Sequence, residues 1–365
     1  MSNLIRTRTD LSRLPVYRPG VADVPHRADA VKLSSNESAL GPSPLAMAAY
    51  RERAGELLRY PDPGCSKLRS VIAERNDLRF EQILAGAGSE SLIRLITRLY
   101  AGEGDEVVVS EHAFVLYRIA AASVGARPVL VPENDCVADL DGMIDAITER
   151  TRIVFLANPN NPTGTMRGAR EIQRFVDEVP DSTLVVLDSA YCEYVDPREL
   201  GDPLSLVREG RTNVVVTRTF SKVYGLAGLR VGWVYGARPI IDSLRKAGDV
   251  FGVSVPAQAT VVAALSDQDH VQRELSHVGR WRPWLTAELE KLGLRATPSV
   301  CNFVLAHCDP VTISAADCFR RLLDRGLIVR PTAAYGLPEA LRITVGAESE
   351  MRAFIDTLKD VLAAH

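Results

Sequence analysis

Residues capable of chemistry follow directly after apolar, strand-like runs in this chain. In TRTFSKVYGLAGLRVGW (217–233), Ser221 and Lys222 come just after such a run, and Arg230 follows shortly. A desolvated lysine forms Schiff bases with carbonyl compounds, while hydroxyl and guanidinium groups bind phosphate. Taken alone, a lysine is more often an ordinary solvated charge, so this interpretation needs support from other segments.

A second candidate lies in TLVVLDSAYCEY (183–194), where a strand-like run ends in Asp188 and Tyr191 follows. A carboxylate is costly to bury without a cationic partner. The protonated pyridinium nitrogen of a cofactor is such a partner, and Tyr191 could reach a ring oxygen of the same cofactor. The alternative is an aspartate that caps the next turn.

Prolines and asparagines make LANPNNPTGT (156–165) a rigid loop that cannot continue the strand before it. The loop presents Asn161 at the carboxyl edge of a sheet, where its amide could bond to a ring hydroxyl. As a bare turn the segment would carry no function.

The segment ILAGAGSESLI (83–93) has glycines between a strand and a helix, but Ser91 stands where a dinucleotide fingerprint needs its third glycine. The turn at Gly88 instead feeds a helix N-terminus with Ser89 and Glu90 in its first turn. Such an end can bind a single phosphate group, or it can be a plain helix cap.

Alternating strands and helices must position these residues. Short β-branched runs alternate with amphipathic patterns, which predicts an α/β fold with a mainly parallel central sheet sandwiched by helices. Ligands of such sheets bind beyond the carboxyl ends of the strands. The predicted strands are 106–110, 127–132, 152–158, 183–188, 213–218 and 232–236, and the predicted helices between them are 89–102, 115–125 and 168–179.

After about residue 250 the sequence becomes helix-rich and then forms short strands near CNFVLAH, GLIVRP and ALRITVG. We expect a large ligand-binding domain over 41–250, a smaller α+β domain over 251–365, and an N-terminal arm over 1–40. The arm is expected to pack with the small domain or to reach a partner subunit.

Composition excludes several classes of protein. The formal charge of −3, from 43 basic and 46 acidic residues, argues against nucleic acid and anionic membranes as partners. The six cysteines form no C-x-x-C pair, which disfavours zinc and disulfide frameworks and fits a reducing cytoplasm. We also expect no signal peptide and no membrane span, since apolar runs of the needed length are absent from the sequence.

Metal and serine-hydrolase chemistry are disfavoured as well. The histidines show no metal-ligand spacing, and the chain has no G-x-S-x-G motif. The acidic run ADLDGMIDAITER (138–150) is interpreted as a capped amphipathic helix rather than as paired catalytic carboxylates.

The order of these motifs resembles that of the class I/II aminotransferases, which are fold-type I enzymes dependent on pyridoxal 5'-phosphate. The resemblance extends over about residues 14–360 and is greatest to the histidinol-phosphate aminotransferase branch. It rests on the glycine–serine turn at 88–89, Phe114, Asn161, Asp188 with Tyr191, Ser221–Lys222 and Arg230.

The resemblance implies a role for each cofactor-site residue. Lys222 would form the internal aldimine and move the proton between the substrate Cα and the cofactor C4'. Asp188 would hold the pyridinium nitrogen, and the other contacts would be made to the ring or the phosphate. The residues implied for these contacts are Asn161 and Tyr191 at the ring oxygen, Phe114 stacked on the ring, and Gly88, Ser89, Glu90, Ser221 and Arg230 around the phosphate.

It also implies a homodimer and a substrate. Tyr60, in RYPDPGCSKLR, would cross a dimer interface to the neighbouring cofactor's phosphate. Arg342 would bind the acidic end of both substrates, and Arg330 with Tyr17 would surround a substrate phosphate. The expected reaction is transamination between histidinol phosphate and 2-oxoglutarate in histidine biosynthesis.

Departures from the family pattern keep alternatives open. Ser38–Ala39 and Gly252 stand where the family usually has Asn-Pro and asparagine, near the expected substrate entrance, and Ser189 follows Asp188 where glutamate or alanine is more frequent. One alternative is an aromatic amino acid aminotransferase or an aminotransferase of a specialised pathway. Others are a decarboxylase of a phosphorylated amino acid and a cofactor-binding protein without turnover, the last disfavoured because Lys222 and Asp188 are both present.

Overall fold

The computed structural model of this protein describes residues 30–309 and 312–363. Its centre is a seven-stranded sheet of order β2-β10-β9-β8-β7-β3-β4. The strands are β1 (Val31–Lys32), β2 (Ile83–Gly86), β3 (Glu106–Ser110), β4 (Arg127–Val131), β5 (Glu133–Asn134), β6 (Val137–Ala138), β7 (Thr151–Ala157), β8 (Leu184–Asp188), β9 (Val214–Thr219), β10 (Gly232–Gly236), β11 (Arg295–Thr297), β12 (Phe303–His307), β13 (Leu327–Ile328), β14 (Arg330–Pro331) and β15 (Ala340–Thr344).

Strands β4, β3, β7, β8 and β9 run parallel, whereas β10 is antiparallel to both β9 and β2. The expectation of a mainly parallel sheet is therefore confirmed. Along each buried strand, successive side chains enter opposite cores. Val107 and Val109 face one hydrophobic cluster and Val108 faces the other, which is the period of two expected for a sheet covered on both faces.

Helices cover both faces of this sheet. They are α1 (Pro44–Arg53), α2 (Ser66–Asn76), α3 (Gly88–Tyr100), α4 (Leu116–Ser123), α5 (Leu140–Asp145), α6 (Ala169–Glu178), α7 (Pro197–Leu200), α8 (Pro203–Arg208), α9 (Arg238–Ala247), α10 (Val255–Ser266), α11 (Gln268–Lys291), α12 (Ala315–Asp324) and α13 (Glu348–Ala363). Several begin at a serine whose hydroxyl accepts a backbone N–H of the first turn, as Ser43, Ser254 and Ser314 do.

Helix α5 is shorter than the sequence predicted. Asp139 caps its start, as expected, but the helix ends at Asp145 rather than near 150. The following residues form a turn in which Thr148 and Arg150 bond to the buried carboxylate of Glu106. These tertiary hydrogen bonds replace the last helical turn. The hydrogen bond from Arg127 is the main cause that lowers the pKa of Glu106 to about 2, and the bonds from Thr148 and Arg150 act in the same direction.

A smaller antiparallel sheet of order β11-β12-β15-β14 packs with α11, α12 and α13 around a second core. Strand β1 pairs in parallel with β13, so the chain near residue 31 lies on this smaller part. Helix α10 packs instead on α1 and α2 of the larger part. We propose that the division between the two parts falls within α11 rather than at 250. Residues 1–29 of the expected N-terminal arm lie outside the described residues.

Among the described residues, no helix combines the length and the apolar character needed to cross a membrane.

Candidate active site

A cavity opens at the carboxyl ends of β7, β8 and β9, where the sequence predicted a site. It is bounded on the opposite side by residues of the smaller part and by the segment Ser34–Asn36. The predicted residues that line it are Ser89, Glu90, Phe114, Asn161, Asp188, Tyr191, Ser221, Lys222, Arg230, Arg330 and Arg342.

Asp188 is the last residue of β8 and is 6% exposed. Its Oδ2 accepts a 2.6 Å hydrogen bond from the hydroxyl of Tyr117, whereas its Oδ1 is buried without a partner among the residues that the structure describes. Burial raises the pKa of this carboxyl, and the Tyr117 hydrogen bond opposes that shift. Asp188 lines the cavity, and one of its two oxygens is left without a hydrogen bond among the described residues.

Lys222 follows β9 in a turn closed by the hydrogen bond from the Gly225 N–H to its carbonyl. Its Nζ donates to the carbonyl of Ser35 at 3.3 Å and lies 5.4 Å from the ring centroid of Tyr191. Burial, followed by the positive charges of Arg342 and Arg230, lowers the pKa of this amine to about 7. A substantial neutral fraction near neutral pH makes the amine a competent nucleophile and base.

The hydroxyl of Tyr191 is held by an asparagine that sequence reasoning did not assign to the site. The Asn36 amide donates to this hydroxyl at 2.8 Å. Asn36 has φ +55° and is fixed through its backbone, since its N–H donates to Thr344 and its carbonyl accepts from Asn302. The smaller part therefore orients Tyr191 through Asn36.

The start of α3 forms a tight cradle with Arg230. A Cβ on Gly88, which has φ +85°, would lie 2.8 Å from Nη2 of Arg230. A Cβ on Gly232 would lie 2.4 Å from the backbone nitrogen of Ser89. Arg230 also donates to the Ser221 hydroxyl at 3.3 Å. Backbone N–H groups at a helix start, a hydroxyl and a guanidinium thus meet, which is the donor set that binds phosphate.

Two arginines from the smaller part lie at the opposite end of the cavity. Arg342, on β15, donates to the Asn161 side-chain oxygen and, at 2.7 Å, to the carbonyl of Ser34. Its guanidinium carbon is 5.3 Å from the ring centroid of Phe303. Arg330, on β14, lies 6.0 Å from the ring centroid of Tyr335, which also lines the cavity.

Two predicted residues of the described part of the chain, Gly88 and Tyr60, do not line this cavity, although Gly88 directly precedes Ser89, which does. Tyr60 is 79% exposed and stacks on Phe251 with ring centroids 4.4 Å apart. Within one chain it does not line the cavity. Tyr17 lies outside the described residues.

A partly buried ion pair lies behind the site. Glu193 follows Tyr191 closely and is 3.8 Å from Arg218, which is on β9 just before the lysine turn. Burial raises the pKa of Glu193, and Arg218 opposes that shift. The pair links the segments that carry Tyr191 and Lys222.

These residues fit the cofactor that the sequence resemblance implies. The unpartnered Oδ1 of Asp188 matches a protonated ring nitrogen, because a buried carboxylate needs a cation or donor. The Gly88–Arg230 cradle matches a phosphate, and Lys222 lines the same cavity as Asp188 and Arg230. Phe114 lies edge-to-face on Tyr117 at 5.9 Å and adds an aromatic side to the same space.

Sequence reasoning missed Tyr117, Asn36 and Tyr335. Tyr117 could have been found from its helical spacing after Phe114, since both side chains fall on one face of α4 and its leading turn. Asn36 and Tyr335 are distant in sequence from the other residues of the site, and only the packing of the smaller part brings them to it.

The fold and site define a class of protein. Residues 28–358 match the family model for aminotransferase class I and II, and the chain belongs to this family. A histidinol-phosphate aminotransferase from Maricaulis maris is 46% identical over 362 residues, covering 99% of both chains. One from Ruegeria sp. is 45% identical over 350 residues and covers 96% of both.

Solved structures agree in fold. The histidinol-phosphate aminotransferase of Sinorhizobium meliloti, in complex with pyridoxal-5'-phosphate, superimposes with a TM-score of 0.88 at 32% identity, covering 92% of this chain and 91% of that one. The aspartate aminotransferase of Thermus thermophilus, solved with maleate, shares the fold with a TM-score of 0.81 at 22% identity, covering 92% of each chain.

Proposed function

We propose that this protein is a pyridoxal-phosphate-dependent aminotransferase that exchanges the amino group between histidinol phosphate and 2-oxoglutarate. The reaction class follows from the family and from the lysine and aspartate of the site. The substrate is supported by near-full-length relatives named for it. The observation that carries the proposal is the pair of buried arginines, Arg330 and Arg342, in the same cavity as Lys222.

Bound pyridoxal phosphate supplies an electron sink for the bonds at the substrate Cα. Lys222 holds the cofactor and then serves as the base at that carbon. Its amine is suited to both tasks because its pKa is lowered to about 7, so it accepts and returns a proton near neutral pH. Its position between Tyr191 and the Ser35 carbonyl keeps Nζ at one edge of the cavity.

Asp188 keeps the ring nitrogen of the cofactor protonated. The hydrogen bond from Tyr117 favours the charged carboxylate and leaves Oδ1 without a protein partner among the described residues, so that it could bind the ring nitrogen. Tyr191 and Asn161 would bond the ring oxygen, and each is fixed by a second side chain, Asn36 for Tyr191 and Arg342 for Asn161. These contacts would hold the ring in one orientation.

Arg342 and Arg330 bind the acidic groups of the two substrates. A guanidinium binds carboxylate or phosphate through paired N–H groups, so one pocket can accept histidinol phosphate and then a dicarboxylate. The Nε of Arg342 is buried without a partner among the described residues, which leaves a donor for the substrate.

We further propose a homodimer in which Tyr60 contributes to the cofactor phosphate site of the second copy. The support is an exposed apolar patch, defined here as Leu57, Leu58, Tyr60, Val250 and Phe251. Leu58 is 90% exposed and Leu57 is 76% exposed. Contiguous apolar side chains at this exposure are typical of protein interfaces.

We also propose that the protein is located in the cytoplasm. All six cysteines are buried and carry free thiols, which suits a reducing compartment.

A single-turnover experiment tests the substrate. Purified protein loaded with pyridoxal phosphate is mixed separately with histidinol phosphate, phenylalanine and glutamate, and the absorbance of the lysine-bound cofactor is followed. Rapid loss of this absorbance with histidinol phosphate and with glutamate is expected. Conversion by phenylalanine and glutamate without conversion by histidinol phosphate would contradict the proposed substrate.

A lysine substitution tests the attachment. Lys222→Ala is expected to remove covalent cofactor labelling after borohydride reduction and nearly all turnover, while Lys246→Ala, at an exposed lysine of α9, retains both. Mass spectrometry of the reduced peptides gives the readout. Labelling of another lysine in the wild-type protein would contradict the assignment.

A further inference from the structure

We propose that Tyr335 determines specificity for the imidazole ring of the amino donor, and that His112 of the larger part positions it through a hydrogen bond to its backbone. This inference rests on the proposed function and assigns a part of the site that Arg330 and Arg342 do not explain. Those arginines recognise acidic groups, whereas histidinol phosphate also carries an aromatic ring.

The aromatic side chains that line the cavity in the described part of the chain are Phe114, Tyr117, Tyr191 and Tyr335. Tyr117 is engaged with Asp188, and Tyr191 is bonded by Asn36 beside Lys222. Phe114 lies against Tyr117 on the large-part side, where the cofactor ring is expected. Tyr335 is the aromatic ring left on the substrate side.

The position of Tyr335 supports a contact with substrate. It is 1% exposed, and its ring centroid is 6.0 Å from the guanidinium carbon of Arg330. Both residues belong to one short segment, in which β14 is followed by the turn Ala333–Tyr335. A donor whose acidic group reaches Arg330 therefore has an aromatic wall beside it, and ring-to-ring contacts favour an aromatic donor.

The turn that carries Tyr335 is held by two side chains of the large part. Nδ1 of His112 donates to the Tyr335 carbonyl at 2.8 Å, and Arg118 donates to the Ala334 carbonyl at 2.7 Å. Because a carbonyl only accepts, the His112 proton on this side sits on Nδ1. Next to it, a Cβ on Gly336, which has φ +78°, would lie 3.2 Å from that nitrogen.

The turn joins the rest of the smaller part through Thr332, whose hydroxyl donates to the carbonyls of Leu337 and Ala340. The hydrogen bond from His112 thus fixes where the ring of Tyr335 stands relative to Lys222. His112 lies just after β3 and before Phe114, so the same loop carries the expected ring-stacking residue and the residue that holds the substrate wall. His112 is accordingly a positioning residue.

The test compares kcat/KM for histidinol phosphate with kcat/KM for glutamate in the loaded enzyme. Tyr335→Leu and His112→Ala are each expected to lower the ratio of these two values about tenfold, the loss for one aromatic contact. Tyr335→Phe retains the ring and is expected to stay within about threefold of wild type. The effect should lie mainly in KM, since Lys222 and Asp188 are not altered.

The double variant Tyr335→Leu/His112→Ala is expected to show little more than the loss of Tyr335→Leu alone, because His112 acts through that ring. His277→Ala is the matched control, since it removes a histidine–carbonyl hydrogen bond of 2.9 Å to Gly346, away from the cavity. Its ratio should equal that of wild type. If Tyr335→Leu does not fold, the result for His112→Ala tests the inference by itself. That variant retains the Tyr335 ring and removes only the hydrogen bond that positions it.

An unchanged ratio in folded Tyr335→Leu, or in His112→Ala, would overturn the inference, as would fully multiplicative losses in the double variant. A failure of the proposed function gives a different result, since the wild-type enzyme would then not convert histidinol phosphate in the single-turnover experiment.

Discussion

The hydroxyl of Tyr117 donates a 2.6 Å hydrogen bond to Oδ2 of Asp188, while Oδ1 of the same carboxylate has no hydrogen-bond partner among the described residues. The two oxygens of this carboxylate therefore have different roles. One oxygen is held by the protein, and the other is left for a cation. Tyr117 is fully buried and its ring stacks on Phe155, so its hydroxyl is held in the position that donates to Asp188.

Removing this support should weaken the hold on the cofactor. Tyr117→Phe keeps the stacking but deletes a hydrogen bond to a charged group, which contributes about 1.5–3 kcal/mol. We expect the pKa of Asp188 to rise further and the affinity for pyridoxal phosphate and kcat each to fall about tenfold. Equilibrium dialysis and steady-state kinetics provide the measurements. Unchanged cofactor affinity would show that Tyr117 does not support the carboxylate.

The Gly88–Arg230 cradle predicts a steric effect that can be separated from backbone strain. Gly88→Ala places a Cβ 2.8 Å from Nη2 of Arg230 at a residue with φ +85°. Gly104→Ala is the matched control, since it has φ +86° with nothing within 4 Å. Both should lose about 1–2 kcal/mol of unfolding free energy from the backbone.

Only Gly88→Ala should also lose affinity for pyridoxal phosphate, by about tenfold or more, because Arg230 must move away from the phosphate position. Equal cofactor affinity in the two variants would remove this role from the cradle. Chemical denaturation and cofactor titration together give both quantities.

The lowered pKa of Lys222 predicts a pH dependence of stability in cofactor-free protein. The pKa is about 7 in the folded chain against an ordinary value of 10.5. Between these values the unfolded chain binds more protons than the folded chain, so stability rises as pH rises through this window. Below about pH 7 the full cost of the buried ammonium is present.

Lys222→Met removes this ionisation. We expect it to be more stable than the wild type near pH 6 and the difference to shrink toward pH 9, about the range over which the amine loses its proton. Urea unfolding at a series of pH values measures the difference. A gap that does not vary with pH would contradict the lowered pKa.

The ion pair of Glu193 and Arg218 should matter more than exposed pairs. Glu193→Gln leaves the partly buried Arg218 without a countercharge. Because each side chain is 16% exposed, we expect a cost of about 1–3 kcal/mol, below that of a fully buried pair. Thermal unfolding should show a lower midpoint. Asp196→Asn, which breaks the exposed pair with Arg198, should leave the midpoint nearly unchanged. Similar midpoints for the two variants would argue against a structural role for the Glu193–Arg218 pair.

The apolar patch predicts the oligomeric state. Leu58→Asp adds a charge to a side chain that is 90% exposed in one chain and is expected to be buried in the dimer. We expect sedimentation to show a shift from dimer to monomer, together with loss of activity because Tyr60 no longer reaches the second site. Leu130→Asp, at another exposed leucine outside the patch, should stay dimeric. A wild-type monomer with full activity would contradict the shared site.

The sequence by itself determined the elements and the residues that follow them. Asp188, Asn161 and Lys222 could be predicted because each lies at the end of an apolar, β-branched run or shortly after one. Parallel strands bring their carboxyl ends to one edge of the sheet, so these residues meet there. Local sequence was less reliable where tertiary contacts competed. Helix α5 ends early because Thr148 and Arg150 bond to Glu106 on a distant strand.

Only the tertiary structure decided which residues line the part of the cavity where the substrate is expected. Asn36 and Arg342 are separated along the chain from the residues that they contact, and no periodicity links them to Tyr191 or Asn161. Tyr335 carries no local motif for binding, and its role depends on the hydrogen bond from His112. Such contacts depend on the packing of two separate cores against each other, which side-chain spacing within one segment does not encode. The lowered pKa of Lys222 has the same origin, because burial and the nearby arginines arise only when both parts of the fold are in place.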